Sequence, residues 1–217
     1  MNSFDLYKLM VDDAFHHLQI HAEDVDLLTE DEGIYDAVLF RMLCKSVPNS
    51  AIVHPVSFSP YYEDLYESDV HYVFQPLDKP IDWVVFVMES VPGHWSLAML
   101  ELSTGIVNHY DTCYHKYAPE KRFLTLSQEW KLLKACKTIA ASLLGHRKLS
   151  WNSPDLWYPG LETYVKQGED GNCGVFCCIL AERIVGGGTL ADITLEDALE
   201  WRHNAAKLLE CEISAQK

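Results

Sequence analysis

The segment Val165–Gly188, VKQGEDGNCGVFCCILAERIVGGG, changes character at Cys173. A polar loop that contains glycine precedes this cysteine, and a run that is apolar on every side follows it. A helix that is hydrophobic all round belongs in the middle of a domain, and three successive glycines are suited to end it. The segment therefore predicts a buried central helix over Gly174–Val185, with Cys173 directly at its N-terminus.

Cys173 has two interpretations at this position. The unpaired N–H groups and the positive dipole end of a helix favour a thiolate over a thiol. A free cysteine is also one of the most frequently buried residue types, and most cysteines in such a place are simply small core residues. Partners decide between the two, because a nucleophilic cysteine needs an imidazole base whose second nitrogen is held by an acceptor.

The composition indicates one globular domain. The chain has 217 residues, of which 48% are hydrophobic and 23% charged, unlike a disordered chain. We expect a single domain over residues 1–217, with residues 1–25 as a peripheral N-terminal helix. The formal net charge of −15 disfavours nucleic acid and anionic membranes as partners, because binding to phosphates requires clustered Lys and Arg. A protein with a basic tail or patch suits this chain better.

The cysteines and the N-terminus indicate the compartment. Seven cysteines stand at irregular spacings, and the N-terminus has acids and histidines where a secretory signal has a cationic start and an apolar stretch. No segment is long and apolar enough for a membrane span. We expect free thiols in a reducing compartment, and hence a cytoplasmic or nuclear monomer, or a protein delivered into a host cytosol if a pathogen makes it.

No cofactor and no metal is expected. Cys173, Cys177 and Cys178 would share one predicted helix, a spacing that could suggest a metal site. A tetrahedral site needs a complete ligand set, and no second cluster in the sequence supplies the remaining ligands. Core packing is therefore the favoured interpretation of this cysteine group.

Hydrophobic patterns outline the elements before residue 120. Apolar residues at helical spacing predict a helix that ends before Pro48. Short runs rich in Val, Leu and aromatic residues predict adjacent strands over Trp83–Met88, Trp95–Leu102 and Ile106–Tyr110. Gly and Pro punctuate these runs, as expected of turns between strands of one sheet.

Two further helices are predicted on either side of the central helix. Thr125 and Gln128 have the spacing of a capping box, so a helix should begin there. Its core-facing stripe is predicted to comprise Leu126, Trp130, Leu133, Ile139, Ala140 and Leu143. The terminal helix should span Leu195–Leu209. The predicted order is a helix, one group of strands and then three more helices. This order predicts an α+β fold rather than strict βαβ alternation.

His94 is the histidine best placed to act as the base. It precedes a predicted strand of a hairpin whose far end is Asp111. If Ser103 and Thr104 form a two-residue loop, Ser96 faces Asp111, and His94 becomes its diagonal neighbour on the same face. A three-residue loop would shift the register by one and put the two on opposite faces. Taken separately, they have ordinary interpretations as a structural histidine and a turn aspartate.

Gln167 lies in the polar loop that leads to Cys173. Acyl transfer develops an oxyanion, which a backbone N–H and a side-chain amide can stabilise together. Gly168 and Gly171 allow the loop to turn tightly enough to bring the glutamine amide back to the cysteine. Without that return, Gln167 is an ordinary loop residue.

These residues occur in the order of a known protease family. His94-Trp95, Asp111 after a hairpin, and QGEDGNCG at 167–174 resemble the His, Asp, Gln, Cys order of the ubiquitin-like-modifier proteases, the Ulp or sentrin-specific family. The layout of HPVSFSP, FQPLDKPIDWVVFVME, GHWSLAMLEL and NHYDT is similar to the small deneddylase branch, and WRHNAAKLLE resembles its closing helix. The resemblance spans residues 28–209.

The resemblance implies a papain-like, Ulp-type cysteine protease fold, in which a central helix headed by the nucleophile packs on a mixed sheet. It also implies the catalytic roles. Cys173 would be the nucleophile and His94 the base. Asp111 would orient the base, and Gln167 would stabilise the oxyanion.

The same resemblance implies a substrate channel. Trp95, Asp31 and Gly174 would bind a Gly-Gly tail in a passage too narrow for side chains. Two residues depart from the family pattern. Leu28 stands where the channel tryptophan of the other wall would lie, and Asn172 stands before the nucleophile, where Asp is usual.

The implied activity is a thiol peptidase that cleaves after the C-terminal Gly-Gly of a ubiquitin-like modifier, free or conjugated, through a thioester. The layout favours a Nedd-type modifier, and an acidic enzyme suits the basic tail of ubiquitin or a Nedd-type modifier better than SUMO. Two alternatives stay open: an acetyltransferase effector of the YopJ kind, for which the chain offers no basic cluster, and a catalytically dead modifier-binding module, suggested by the missing tryptophan.

Overall fold

The computed structural model describes residues 20–30, 33–47, 51–54, 81–113, 124–144, 149–167 and 171–215. Five α-helices lie in these ranges: α1 (Ala22–Thr29), α2 (Asp36–Ser46), α3 (Leu126–Leu144), α4 (Cys173–Gly186) and α5 (Leu195–Ala215). Five strands accompany them: β1 (Ala51–His54), β2 (Trp83–Val91), β3 (His94–Glu101), β4 (Ile106–Tyr110) and β5 (Asp155–Trp157).

The strands form one mixed sheet in the order β1-β2-β3-β4-β5. The three central strands pair antiparallel, and the outer strands β1 and β5 pair parallel to their neighbours. Parallel neighbours need crossover connections, and α3 lies in the connection from β4 to β5. The outer strands are four and three residues long, which is why hydrophobic runs in the sequence did not predict them.

Side chains of the central strands alternate between two hydrophobic cores, one on each face of the sheet. One core includes Val85, Leu97 and Met99 and is covered by α1, α2, α4 and α5. The other includes Phe86 and Leu100 and is covered by α3. The helix that follows Cys173 is buried in the first core along most of its length. The predicted α+β fold, with a central helix packed on a mixed sheet, is therefore confirmed.

Helix ends agree with the capping residues of the sequence. The predicted capping box forms, because the Thr125 N–H donates to Gln128 Oε1 at 2.8 Å and the Gln128 N–H donates to Thr125 Oγ1 at 3.3 Å. Gly187 ends α4 with φ +70°, a left-handed conformation in which glycine avoids the steric cost of a Cβ. The local sequence thus fixes where α3 begins and where α4 ends.

The predicted core-facing stripe of α3 is wrong at its beginning. Leu126 is 85% exposed and Trp130 is 62% exposed. Farther along, the helix buries Leu132, Ala135, Cys136, Ile139 and Ala140, and the last two of these were predicted. Because the apolar residues of α3 surround more than one face, periodicity alone selected the wrong stripe for the first turns.

The single domain over residues 1–217 stays a prediction, since residues 1–19 lie outside the described ranges. Where the structure does describe the N-terminal part, α1 contributes Val25 and Leu28 to a core. Within the described ranges, none of the helices is both long enough and apolar enough to span a lipid bilayer.

Candidate active site

The β3–β4 hairpin sets the position of His94 and Asp111. Leu97 pairs with Tyr110 and Leu100 with Val107, which is the register expected from the sequence. The connection is longer than expected, since the strands end at Glu101 and begin again at Ile106. A four-residue connection keeps the same parity as a two-residue loop, so every side chain stays on its predicted face.

His94 and Asp111 meet at the end of the sheet. His94 Nε2 lies 2.7 Å from Asp111 Oδ1, and the two residues are only 3% and 2% exposed. A carboxylate can only accept, so Nε2–H donates and Nδ1 is left for another partner. The Cys113 N–H donates to the same Oδ1 at 3.0 Å, and the Tyr164 hydroxyl donates to the Asp111 carbonyl at 3.1 Å. Two hydrogen bonds therefore hold Oδ1 of the carboxylate, and the Tyr164 hydroxyl holds the backbone of the same residue.

The protonation of His94 follows from these neighbours. Burial alone would lower the pKa of His94, because it disfavours the charged ring. Hydrogen bonds with Asp111, Cys113 and Cys173, together with the charge of Asp111, outweigh burial and raise the pKa to about 12. The surroundings of His94 therefore favour the charged ring, so a neutral His94 would readily take a proton from a neighbouring thiol.

Cys173 reaches this pair from the other side of the sheet. It begins α4, as predicted, and is 7% exposed. The backbone N–H of Trp95, the residue after His94, donates to Cys173 Sγ at 3.5 Å. A hydrogen bond with the thiol also contributes to the raised pKa of His94. Three predicted residues, Cys173, His94 and Asp111, are thus brought together.

Gln167 is buried next to the residue that follows Asp111. Its Oε1 accepts from Thr112 Oγ1 at 3.1 Å, and its backbone N–H donates to the Thr112 carbonyl at 2.9 Å. The acceptor end of the amide is therefore engaged by Thr112. The expected return of the Gln167 amide to Cys173 stays a prediction, since residues 168–170 lie outside the described ranges.

Trp95, Ile34 and Gly174 pack together beside the nucleophile. The indole Nε1–H of Trp95 donates to the Ile34 carbonyl at 3.1 Å. A Cβ built on Gly174 would lie 2.7 Å from Ile34 Cγ1 and 3.3 Å from Trp95 Cδ1. Only glycine fits at position 174 without a shift of Ile34.

Leu28, which stands where the family has a channel tryptophan, does not take over the place of that side chain. Leu28 is buried within the core, with 1% of its surface exposed, so its side chain cannot line an open channel. The segment that faces Trp95 contains Ile34, between α1 and α2. The backbone bond to the indole is a contact that no side-chain motif in the sequence encodes. Asp31 lies outside the described residues.

A second buried histidine stands on the same hairpin. His109 Nε2 lies 3.0 Å from Ser96 Oγ, and the ring packs edge-on against Tyr158. Alternation along the strands puts His109 and Ser96 on the face that His94 and Asp111 share. The pKa of His109 is lowered to about 4, because burial and, to a smaller extent, the charge of His94 outweigh the opposing charge of Asp111.

Arg202 is a site residue that the sequence did not reveal. It lies on α5, is buried, and donates from Nε to Asn172 Oδ1 at 2.5 Å. Asn172 is the residue immediately before the nucleophile. A charged residue on an amphipathic terminal helix is normally solvated, so its burial at this site depends on a tertiary contact that local patterns do not contain.

Solved structures with this fold include several SUMO proteases. The SUMO protease Ulp1 with its catalytic cysteine oxidised to a sulfinic acid is similar with a TM-score of 0.65 and 17% identity over 90% of this chain and 85% of that chain. The Ulp1 protease domain in complex with Smt3, the yeast ortholog of SUMO, has a TM-score of 0.60 and 16% identity over 86% and 80%. A de-sumoylating protease has a TM-score of 0.57 and 11% identity over 89% and 87%.

These likenesses show that the chain has the fold of Ulp1-type protease domains, as its sequence suggested. Neither a protein-family model nor a curated protein sequence matches the chain.

Proposed function

We propose that this chain is a cysteine peptidase that cleaves after the C-terminal Gly-Gly of a ubiquitin-like modifier. One observation carries the proposal: the His94 ring is held by Asp111 at 2.7 Å, and Cys173 Sγ lies 3.5 Å from the backbone N of Trp95, the residue after His94. A thiol, an imidazole and a carboxylate in this order are the parts that acyl transfer needs. The fold likeness to Ulp1 supports the same class of enzyme.

Each proposed step assigns a proton to a stated atom. The Cys173 thiol gives its proton to His94 Nδ1, since Nε2 is engaged by Asp111, and Sγ attacks the carbonyl carbon of the last glycine. The C–N bond then breaks, and His94 returns the proton to the leaving amine. Water attacks the thioester with His94 again taking a proton, which restores the thiol and releases the glycine carboxylate.

Two groups are proposed to stabilise the oxyanion. The first N–H groups of a helix have no partner within it, and those at the start of α4 would supply one donor, since Cys173 is the first residue of that helix. Gln167 would supply the second donor through Nε2, because its Oε1 already accepts from Thr112. Asp111 is proposed to act only by orienting the imidazole and stabilising its charge.

The modifier tail is proposed to run past Trp95, Ile34 and Gly174. The Trp95 indole is fixed to the Ile34 backbone, and any side chain on residue 174 would press on Ile34 and Trp95. A tail without side chains suits such a confined approach. Asp31 keeps its proposed role in tail binding from the sequence resemblance.

Two modifiers have support as the substrate, a Nedd-type modifier and SUMO. The sequence layout favours a Nedd-type modifier, whereas the solved neighbours include SUMO proteases, one of them in complex with the yeast SUMO ortholog. An acetyltransferase of the YopJ kind has no comparable support. Processing of modifier precursors and release of conjugates would use the same chemistry, because both break an amide after the tail.

Electrophile-tipped modifiers test the proposal. Ubiquitin, SUMO and a Nedd-type modifier, each ending in a propargyl group, are incubated in parallel with the protein, and the adduct mass is measured. We expect one modifier to add its mass at Cys173. Cys173→Ala should abolish the adduct and all turnover, while Cys211→Ser, which removes an exposed thiol, should leave both unchanged.

Two outcomes would contradict the proposal. Turnover that survives in Cys173→Ala would exclude Cys173 as the nucleophile. Modifier binding without any adduct would instead indicate a catalytically dead binding module.

A further inference from the structure

Arg202 is a buried cation that no step of the proposed mechanism uses. Besides the bond from Nε to Asn172, its Nη2 donates to the Gly171 carbonyl at 3.3 Å. Its Nη1 lies 3.2 Å from the Leu27 carbonyl and 3.4 Å from the Leu28 carbonyl. One planar guanidinium therefore joins three segments: α5, the C-terminal part of α1 and the loop that leads into the nucleophile.

Asn172 occupies the N-cap of α4 but does not use its side chain as a cap. An N-cap asparagine normally accepts a hydrogen bond from an N–H of the first helical turn. Here no side-chain capping bond forms, and Oδ1 accepts from Arg202 instead. The backbone carbonyl of Asn172 still accepts from the Phe176 N–H at 2.8 Å. The residue thus links the start of the nucleophile helix to Arg202.

Asn172 is the residue whose backbone leads directly into Cys173. Asn172 is completely buried and its backbone has φ −91° and ψ 8°, outside the extended conformation that N-cap residues usually adopt. The direction of the chain at Asn172 sets the position of the next residue's N–H and Sγ. A guanidinium that holds both Asn172 and Gly171 restrains that direction from two points, with a fixed fork that Lys lacks.

We propose that Arg202 is a positioning residue that acts through Asn172 to hold Cys173 in register with His94. This deepens the proposed peptidase function and rests on it. Misplacement by about 1 Å can cost roughly 10²-fold in rate. The bond between Arg202 and Asn172 should therefore affect kcat, whereas the modifier would still bind at Trp95 and across the outer surface with an unchanged KM.

The test removes the link without removing the buried cation. Asn172→Ala deletes the acceptor, and Asn172→Asp is a conservative variant of the same shape that keeps an acceptor oxygen for Nε. Arg202→Lys keeps the charge but loses the fork. Arg183→Met is the matched control, because Arg183 also connects α4 to α5 but at the opposite end of α4, through Asp197 at 3.8 Å.

Each variant is assayed with coumarin-tipped ubiquitin, SUMO and Nedd-type modifier, and kcat is calculated per site titrated with the electrophilic modifier. We expect Asn172→Ala and Arg202→Lys to lose at least tenfold in kcat with KM within about twofold, and Asn172→Asp to stay within about threefold of the original protein. If Arg202 and Asn172 only stabilised the fold, the variants would have fewer active sites that react with the electrophilic modifier, but each remaining site would keep its kcat.

Alkylation of Cys173 by iodoacetamide across pH 5–9 provides a readout that needs no modifier. We expect the alkylation rate and its pH profile to change in Asn172→Ala and to be restored in Asn172→Asp. If the alkylation shift appears but no modifier is ever cleaved, the peptidase function fails and the positioning role stands. Unchanged kcat per site and unchanged alkylation in Asn172→Ala, or equal losses in Asn172→Ala and Asn172→Asp, would overturn the positioning role.

Discussion

His94 and His109 lie on one hairpin, share one face of the sheet and are almost equally buried, yet their ionisation is opposite. The pKa of His94 is raised to about 12 and the pKa of His109 is lowered to about 4. Burial lowers the pKa of both rings. The difference lies in the partners, because His94 has a carboxylate at 2.7 Å whereas His109 has a hydroxyl at 3.0 Å.

The comparison separates a chemical histidine from a structural one. An imidazole that is buried against a hydroxyl and an aromatic ring stays neutral and contributes packing and one hydrogen bond. An imidazole that is buried against a carboxylate and thiols can hold and return a proton at a defined atom. Burial and strand position do not distinguish the two residues, so a site search must compare partners.

The largest expected effect comes from making the same substitution in both histidines. The substrate is the coumarin-tipped form of whichever modifier forms the adduct at Cys173. His94→Gln should lower its turnover by about 10³-fold or more, because the substitution removes the proton acceptor. His109→Gln should stay within about threefold, since glutamine can still hydrogen-bond Ser96. The measurement is kcat/KM for both variants at pH 7.5, with circular dichroism as the check on folding. Comparable losses in the two variants would remove the distinction.

Asp111→Asn should turn the surroundings of His94 into something close to those of His109. Without the carboxylate, burial is opposed only by the thiols, so the pKa of His94 should fall. Turnover should fall by about 10²-fold, because the ring loses its fixed proton position and its charge stabilisation. The imidazole is followed by NMR titration of its ring carbons. An unchanged His94 titration in this variant would contradict the role given to Asp111.

A smaller effect is expected on stability. The folded pKa of His109 lies below the unfolded value of 6.5, so the unfolded chain binds more protons between pH 6.5 and 4. Stability should therefore fall by roughly 3 kcal/mol as pH decreases across this window. His94 acts in the opposite direction: its raised pKa stabilises the fold below pH 6.5, and this contribution declines as pH rises towards the folded pKa.

Urea unfolding at a series of pH values measures both slopes. His109→Gln should flatten the acidic slope and leave the alkaline one, and His94→Gln should do the reverse. An acidic slope that persists unchanged in His109→Gln would mean that other groups cause it.

The sequence predicted the parts of the site that depend on local order. The alternation of β3 and β4 fixed the faces of His94 and Asp111, and the parity of the connection was enough even though its length was wrong. The apolar run after Cys173 predicted the central helix because such a segment has only one stable place in a domain. Each of these inferences uses a period or an end signal within one element.

The remaining features depend on contacts between distant segments. The Arg202–Asn172 bond joins residues 30 positions apart, and the Trp95–Ile34 bond joins residues 61 positions apart through a backbone carbonyl. The sequence around one residue of each pair gives no sign of the residue that it contacts. The prediction for the start of α3 failed for a related reason. Which apolar stripe of a helix is buried depends on how the helix lies on the sheet.

The His94–Asp111 pair and Cys173 are also synthesised at different times. His94 and Asp111 are 17 positions apart, whereas the thiol that contacts the Trp95 backbone comes 78 positions later. During synthesis the hairpin emerges from the ribosome well before the central helix, and domains fold as the chain emerges. A nascent or prematurely ended chain would hold the base and its carboxylate with no nucleophile, so peptidase activity could begin only after synthesis had passed Cys173.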